Sequence, residues 1–242
     1  VLIMVTGSGQ QDRDEEIFEH KPFAVIADAL ARAGIATLRY DDRGFSGYKG
    51  NINDCTTEDF KNDALACVEL LRTRFDKVGV IGHSEGGTIA LMLAAEQKVD
   101  FVVSLAGMVI SGAETLVWQN KVALQGSGLT DEQIDSYCKM LEKAFDVRAN
   151  GGRMPDPDDY DVPEVLIQNY WAVVAQIQMP YMIHFLSLDA RSILGNVTCP
   201  VLALNGSKDN QVDYESNLNA IRNGLPTNSK NCIETIDGVN HL

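Results

Sequence analysis

The chain has 242 residues, 45% of them hydrophobic, enough for one domain with a substantial core and an insertion but too few for a second full domain. Lys and Arg number 20 against 34 Asp and Glu, and the formal net charge of -14 repels nucleic acid and acidic membrane surfaces, so neither is a partner. No apolar run approaches the roughly 20 residues that span a bilayer, and no charged-then-apolar leader opens the chain. It reads as soluble, in the cytoplasm or exported.

In chain order, residues 1–6 already form an apolar strand-like run, so an upstream segment is expected, holding further opening strands or an export signal. Thr6-Gly7-Ser8-Gly9 follows as a turn, and helical periodicity covers residues 22–33. Strand patterns recur at 35–40, 78–81, 101–105, 201–204 and 231–236. A helix is predicted over 58–75 through Phe60, Ala64, Cys67, Val68 and Leu71, with Thr56 or Thr57 as its cap, and another over 87–96. Strands alternating with helices imply right-handed crossovers and a mostly parallel sheet covered on both faces, an α/β fold.

The alternation stops after Leu105 and resumes at Val201. The interval carries helical patterns at 116–124, 131–145 and 162–175, with Gly151-Gly152 and an acidic, proline-rich, solvated loop at 155–163 between them. This predicts a helical lid, residues 108–195, inserted between two parts of the core, 1–107 and 196–242. The lid offers Trp118, Tyr137, Tyr170, Trp171, Tyr181 and Phe185 with several methionines. Most are expected in the core and the rest along an apolar pocket. The cysteines, Cys55, Cys67, Cys138, Cys199 and Cys232, are odd in number and lack metal-ligand spacing. They read as buried structural thiols, with room for one disulfide.

The sharpest local signal is Gly82-His83-Ser84-Glu85-Gly86, a G-x-S-x-G pattern between a predicted strand and a predicted helix. A turn this tight strains the serine backbone, tolerates only small residues at 82 and 86, and exposes the hydroxyl at the carboxyl edge of the sheet. A serine needs a base, and four histidines are available: His20, His83, His184 and His241. His83 points away from Ser84 by the two-residue period, His20 precedes the first helix and His184 lies in the lid. His241, in the loop after the last strand, completes the chain order serine, acid, histidine. The acid follows the strand after the lid, which selects Asp209 over Asp213, the latter reading as a helix cap. The backbone N–H of Glu85 is one expected oxyanion donor, and that of Ser8, preferred to Gly9 or Gln10, is the other.

These residues resemble the α/β-hydrolase superfamily, and within it the bacterial esterase-like and serine-aminopeptidase-like hydrolases of the S33 type. The resemblance runs through Thr6-Gly7-Ser8-Gly9-Gln10-Gln11-Asp12-Arg13-Asp14, Tyr40-Asp41-Asp42-Arg43-Gly44, Gly82-His83-Ser84-Glu85-Gly86-Gly87, Asn205-Gly206-Ser207-Lys208-Asp209 and Asn240-His241. It implies the same triad, hydrolysis of a small-molecule carboxylic ester or related acyl bond, a lid that sets substrate choice, and neither cofactor nor metal. An aminopeptidase or thioesterase would use the same triad, and the aminopeptidase would also need an acidic group such as Glu85, Glu114 or Glu164 in its pocket. A binding protein that has lost turnover is the remaining alternative. One departure is the loop Asp41-Asp42-Arg43-Gly44-Phe45-Ser46-Gly47, whose second glycine is displaced from the family pattern and whose Asp-Arg pair reads as structural. The family's opening strands are absent before Val1 and the sequence stops one residue past His241, so both ends read as trimmed.

Overall fold

The structure, a computed structural model, describes residues 1–45 and 47–241; Ser46, part of the loop motif read from the sequence, lies outside the described residues. The chain divides into two compact units, one made of residues 1–109 and 190–242, the other of residues 110–189.

Among the described residues the first unit is built on six strands: β1 (Leu2–Val5), β2 (Thr37–Arg39), β3 (Gly79–His83), β4 (Phe101–Leu105), β5 (Val201–Gly206) and β6 (Cys232–Ile236). They pair in the order β2-β1-β3-β4-β5-β6, every pair parallel. Helices α1 (Pro22–Arg32), α2 (Thr57–Arg72) and α3 (Glu85–Ala95) make the first three crossovers. The strand period of two divides their packing. Leu2 and Met4 of β1 share a cluster with Phe23 and Ala27 of α1, whereas Ile3 and Val5 join Ala64, Val68, Ile89 and Leu93 of α2 and α3 on the opposite face. Each of these side chains larger than alanine, fully buried, contributes about 1.5–3 kcal/mol.

The second unit holds α4 (Gly112–Leu124), α5 (Asp131–Asn150), α6 (Glu164–Gln176) and α7 (Pro180–Ser187). Ser111 with Glu114 and Thr130 with Gln133 form reciprocal capping boxes at the starts of α4 and α5. Its interior is aromatic: Tyr137 and Tyr170 are fully buried, each with its hydroxyl bonded, Tyr170 donating to the Pro155 carbonyl at 2.9 Å and Tyr137 accepting from Asn169 at 2.7 Å. Trp171, by contrast, is 50% exposed. The acidic loop is mixed, with Pro155 and Pro157 buried and Asp158 and Asp159 exposed. Helix α7 has no counterpart in the sequence reading because its eight residues are apolar nearly all round; Pro180 occupies its first turn, where proline is tolerated.

Ala190, Leu194 and Val197 pack into the core of the first unit, which closes with β5, α8 (Tyr214–Gly224) and β6. Asp213 caps α8, accepting from the Glu215 N–H, as the sequence led one to expect. All five cysteines are free; Cys55 and Cys138 are buried, whereas Cys67, Cys199 and Cys232 are only half-buried, because Cys67 lies at the margin of the α2 stripe and β6 is an edge strand. No helix among the described residues is long and apolar enough to cross a membrane.

Candidate active site

A single residue, Ser84, separates β3 from α3. Its backbone sits at φ 54° and ψ -120°, a conformation that costs a non-glycine residue on the order of 1–3 kcal/mol and persists only where the surroundings enforce it. The neighbouring glycines are that enforcement. A Cβ on Gly82 would stand 2.0 Å from the Gly86 carbonyl oxygen, and one on Gly86 would stand 2.2 Å from the Val5 carbonyl oxygen, so the turn closes only without side chains there. Behind it α3 is buried along almost its whole length, and its N-terminus directs unbonded-end N–H groups and the positive end of the helix dipole toward the turn.

Asp209 lies just past β5. Its Oδ1 accepts from the backbone N–H of Gln211 at 2.8 Å and of Val212 at 2.9 Å, and its Oδ2 accepts from His241 Nδ1 at 2.8 Å. Both side chains are buried. A carboxylate only accepts, so Nδ1 carries the proton and Nε2 is left with its lone pair, able to take a proton from a hydroxyl. The loop bearing His241 is held against β5 by Lys208 N–H donating to the Val239 carbonyl at 2.9 Å and by Gly238 N–H donating to Ser207 Oγ at 2.8 Å.

The loop after β1 forms the other side. Gly7 packs directly on the turn, since a Cβ there would stand 3.2 Å from Ser84 Cβ. The Gly7 N–H is spent on Glu15 Oε1 at 2.6 Å. Ser8, one residue on, is exposed, and its carbonyl accepts from Gln11 Nε2 at 3.4 Å. The Glu85 carboxylate turns inward and accepts from Thr57 Oγ1 at 2.6 Å.

Three further residues shape this edge: Glu15, which the sequence left without a role, and Asp42 and Arg43, from the loop whose Asp-Arg pair it marked as structural. Glu15 bonds both Gly7 and His83, and His83, which the two-residue period turns away from Ser84, in turn reaches the His241 carbonyl. Asp42 accepts from Thr6 Oγ1 and from the Gln11 N–H at 3.0 Å, pinning both ends of the loop after β1. Arg43 bonds Asp59 and Asp63 of α2 rather than its neighbours in sequence. Of the remaining histidines, His184 lies in α7 of the second unit and His20 precedes α1.

Burial pushes the Asp42 carboxyl up to about 6 against the opposing hydrogen bonds from Gln11 and Thr6, with the charges of Glu15 and Glu85 adding to the rise. The folded state therefore holds this proton more tightly than the unfolded chain, whose aspartates titrate near 3.9. Stability from this group is complete below the unfolded value and is lost as pH rises through about 6, a change on the order of 2–3 kcal/mol. Urea denaturation at pH 4.5 and 7.5 should show a larger loss for wild type than for Asp42→Asn. An equal pH dependence in the two proteins would rule Asp42 out as its source.

A cavity of about 280 Å³ on the α1 side is lined by Phe23, Ile26, Leu105, Leu204, His83 and His241 among others. Ser84 is not among its lining residues, so it backs onto the histidines rather than holding a group against the serine.

The fold agrees with what comparison with known proteins finds. The profile of the alpha/beta hydrolase fold matches residues 1–239. The chain belongs to the alpha/beta hydrolase family. Within that family it is 30% identical over 213 residues to Esterase EstD of Thermotoga maritima, an alignment covering 87% of this chain and 47% of that protein. It is 27% identical over 210 residues to the human Serine hydrolase BPHL, covering 84% of this chain and 60% of that one. The chain thus spans about half the length of the first of these relatives and three fifths of the second. Among solved structures, the alpha/beta hydrolase GrgF from Penicillium sp. sh18 superposes with a TM-score of 0.60 at 18% identity, covering 100% of this chain and 82% of that one, a likeness of fold alone.

Proposed function

We propose that this chain is a serine hydrolase that cleaves a small-molecule carboxylic ester, with Ser84 as nucleophile, His241 as general base, Asp209 as orienting acid, and the N–H groups of Glu85 and Ser8 as oxyanion donors. The observation that carries this reading is the buried His241–Asp209 hydrogen bond at the sheet edge where Ser84 is held in a strained turn. Ser84 Oγ attacks the acyl carbon as its proton passes to His241 Nε2; the alcohol then leaves, taking that proton, and a water activated by the same nitrogen releases the acid. The helical unit inserted after β4 would select among acyl chains.

The esterase relative supports an ester in preference to an amide. So does the use already made of two of the three glutamates from which an aminopeptidase would draw its one acidic group, Glu85, Glu114 and Glu164: Glu85 accepts from Thr57, and Glu114 caps α4. A thioester differs only in its leaving group, and a binding-only protein would have no reason to retain the strained serine. The test is a panel of p-nitrophenyl esters of increasing chain length set beside aminoacyl p-nitroanilides and an acyl thioester, run with wild type and Ser84→Ala. Ester turnover that disappears in Ser84→Ala is expected. Turnover of anilides or thioesters alone, or an active Ser84→Ala, would overturn the assignment.

A further inference from the structure

His83 is gripped at both ring nitrogens by acceptors. Its Nε2 lies 2.9 Å from the carbonyl oxygen of His241, which can only accept, so Nε2 carries a proton. Its Nδ1 lies 2.9 Å from Glu15 Oε1, which also takes the Gly7 N–H at 2.6 Å. The His83 ring stands 4.6 Å from that of His241. One carboxylate and one imidazole therefore connect the loop after β1, the serine turn and the backbone of the residue read as the base.

The arrangement is expensive. Glu15 is 3% exposed, its backbone lies in the left-handed region at φ 54°, and its Oε2 is buried without a hydrogen-bond partner among the described residues. A buried carboxylate with an orphaned oxygen is a poor source of stability, and a well-packed apolar residue would do as much for the fold. What the pair supplies that an apolar residue could not is direction: two fixed bonds at right places on His83.

We propose that Glu15 and His83 are positioning residues for the reaction, holding the His241 backbone and the Gly7 loop at fixed places about Ser84. His241 is then constrained twice, at its ring by Asp209 and at its carbonyl by His83. Burial opposes charge on His83, but the Glu15 hydrogen bond and charge, the His241 carbonyl and the charge of Asp209 outweigh it and raise its affinity for the second proton. Those carboxylates and His241 are the titratable groups facing it, and the other residues lining the cavity beside it are uncharged, among them Phe23, Leu105, Leu204, Asn205 and Asn240.

This inference rests on the serine hydrolase reading, and the test separates the two. In His83→Asn the amide N–H reaches Glu15 but not His241, whereas His83→Gln can donate to the His241 carbonyl as Nε2 does. With a p-nitrophenyl ester, His83→Asn should lose about 100-fold in kcat with KM within about threefold, the scale of a small misplacement of reacting groups, and His83→Gln should recover to within about tenfold of wild type. Equal losses in the two variants, a loss confined to KM, or kcat near wild type in both would overturn the proposal. Should either variant fail to fold, Glu15→Met, which keeps the volume but removes the Oε1 that serves both the Gly7 N–H and His83 Nδ1, decides in its place: a reduced kcat at unchanged KM supports it and full activity overturns it. Ser84→Ala run alongside identifies the other failure, since full activity there sinks the nucleophile assignment.

Discussion

Ser84→Ala and His241→Ala should each lower kcat toward an ester by roughly 10⁴- to 10⁶-fold, and the double variant should be scarcely worse than either. The reason is that the two side chains perform one event. Without His241 the Ser84 hydroxyl has nowhere to send its proton, and without Ser84 the imidazole has no proton to receive. Removing the second member of a disabled pair takes away nothing further. The activity that survives all three variants should be similar, because N–H groups at the start of α3 still stabilise a developing oxyanion for attack by water. Neither substitution should unfold the protein: Ser84→Ala removes one oxygen, and the core cluster of the first unit contains neither residue. Purified variants assayed on a single ester, with circular dichroism to verify folding, provide the measurement. Losses that multiply in the double variant would mean that Ser84 and His241 act independently, and the assignment would fail.

Much of this site is legible in the sequence because its signals are either local or topological. Ser84 is announced by five consecutive residues, and the two glycines are required by contacts within the turn and with β1. Asp209 and His241 are distant in sequence, yet each follows a recognisable strand, and parallel strands place all such loops at one edge. Glu15, His83 and Asp42 escape that logic. Their roles come from side-chain pairings across loops, Glu15 to His83 over 68 residues and Thr6 to Asp42 over 36, that no periodicity encodes. The run Gln11-Asp12-Arg13-Asp14-Glu15 was the available signal: a cluster of charge beside an apolar strand invites the question of what each carboxylate faces. The same limit applies to the elements. β4 is read to the residue because it is apolar and central, whereas β2 shrinks from the expected 35–40 to Thr37–Arg39 as an edge strand with a neighbour on one side. The insertion was expected at 108–195, but the compact helical unit spans residues 110–189; the short turns after it carry Ala190, Leu194 and Val197 into the first unit's core, a packing that sequence periodicity cannot register in segments of three residues.

Asp209→Asn should leave the fold intact and cost about 10⁴-fold in kcat. The direction follows from which oxygen is committed to the backbone. Oδ1 accepts from the N–H groups of both Gln211 and Val212, so the amide of an asparagine must turn its own oxygen toward those two donors. Its NH2 group then occupies the place of Oδ2, facing His241 Nδ1 at hydrogen-bond distance. A donor there forces Nδ1 to accept, and the neutral ring must carry its proton on Nε2. The nitrogen that should receive the Ser84 proton is then already protonated. The reversed amide would keep the imidazole correct but set an NH2 group against two backbone N–H groups in a buried site, a cost of several kcal/mol that the first arrangement avoids. Because size and shape are retained, thermal unfolding should move little while kcat collapses, and Asp213→Asn, whose amide oxygen still caps α8, should leave both stability and kcat nearly unchanged. Full activity in Asp209→Asn together with a collapse in Asp213→Asn would transfer the role of the acid to Asp213.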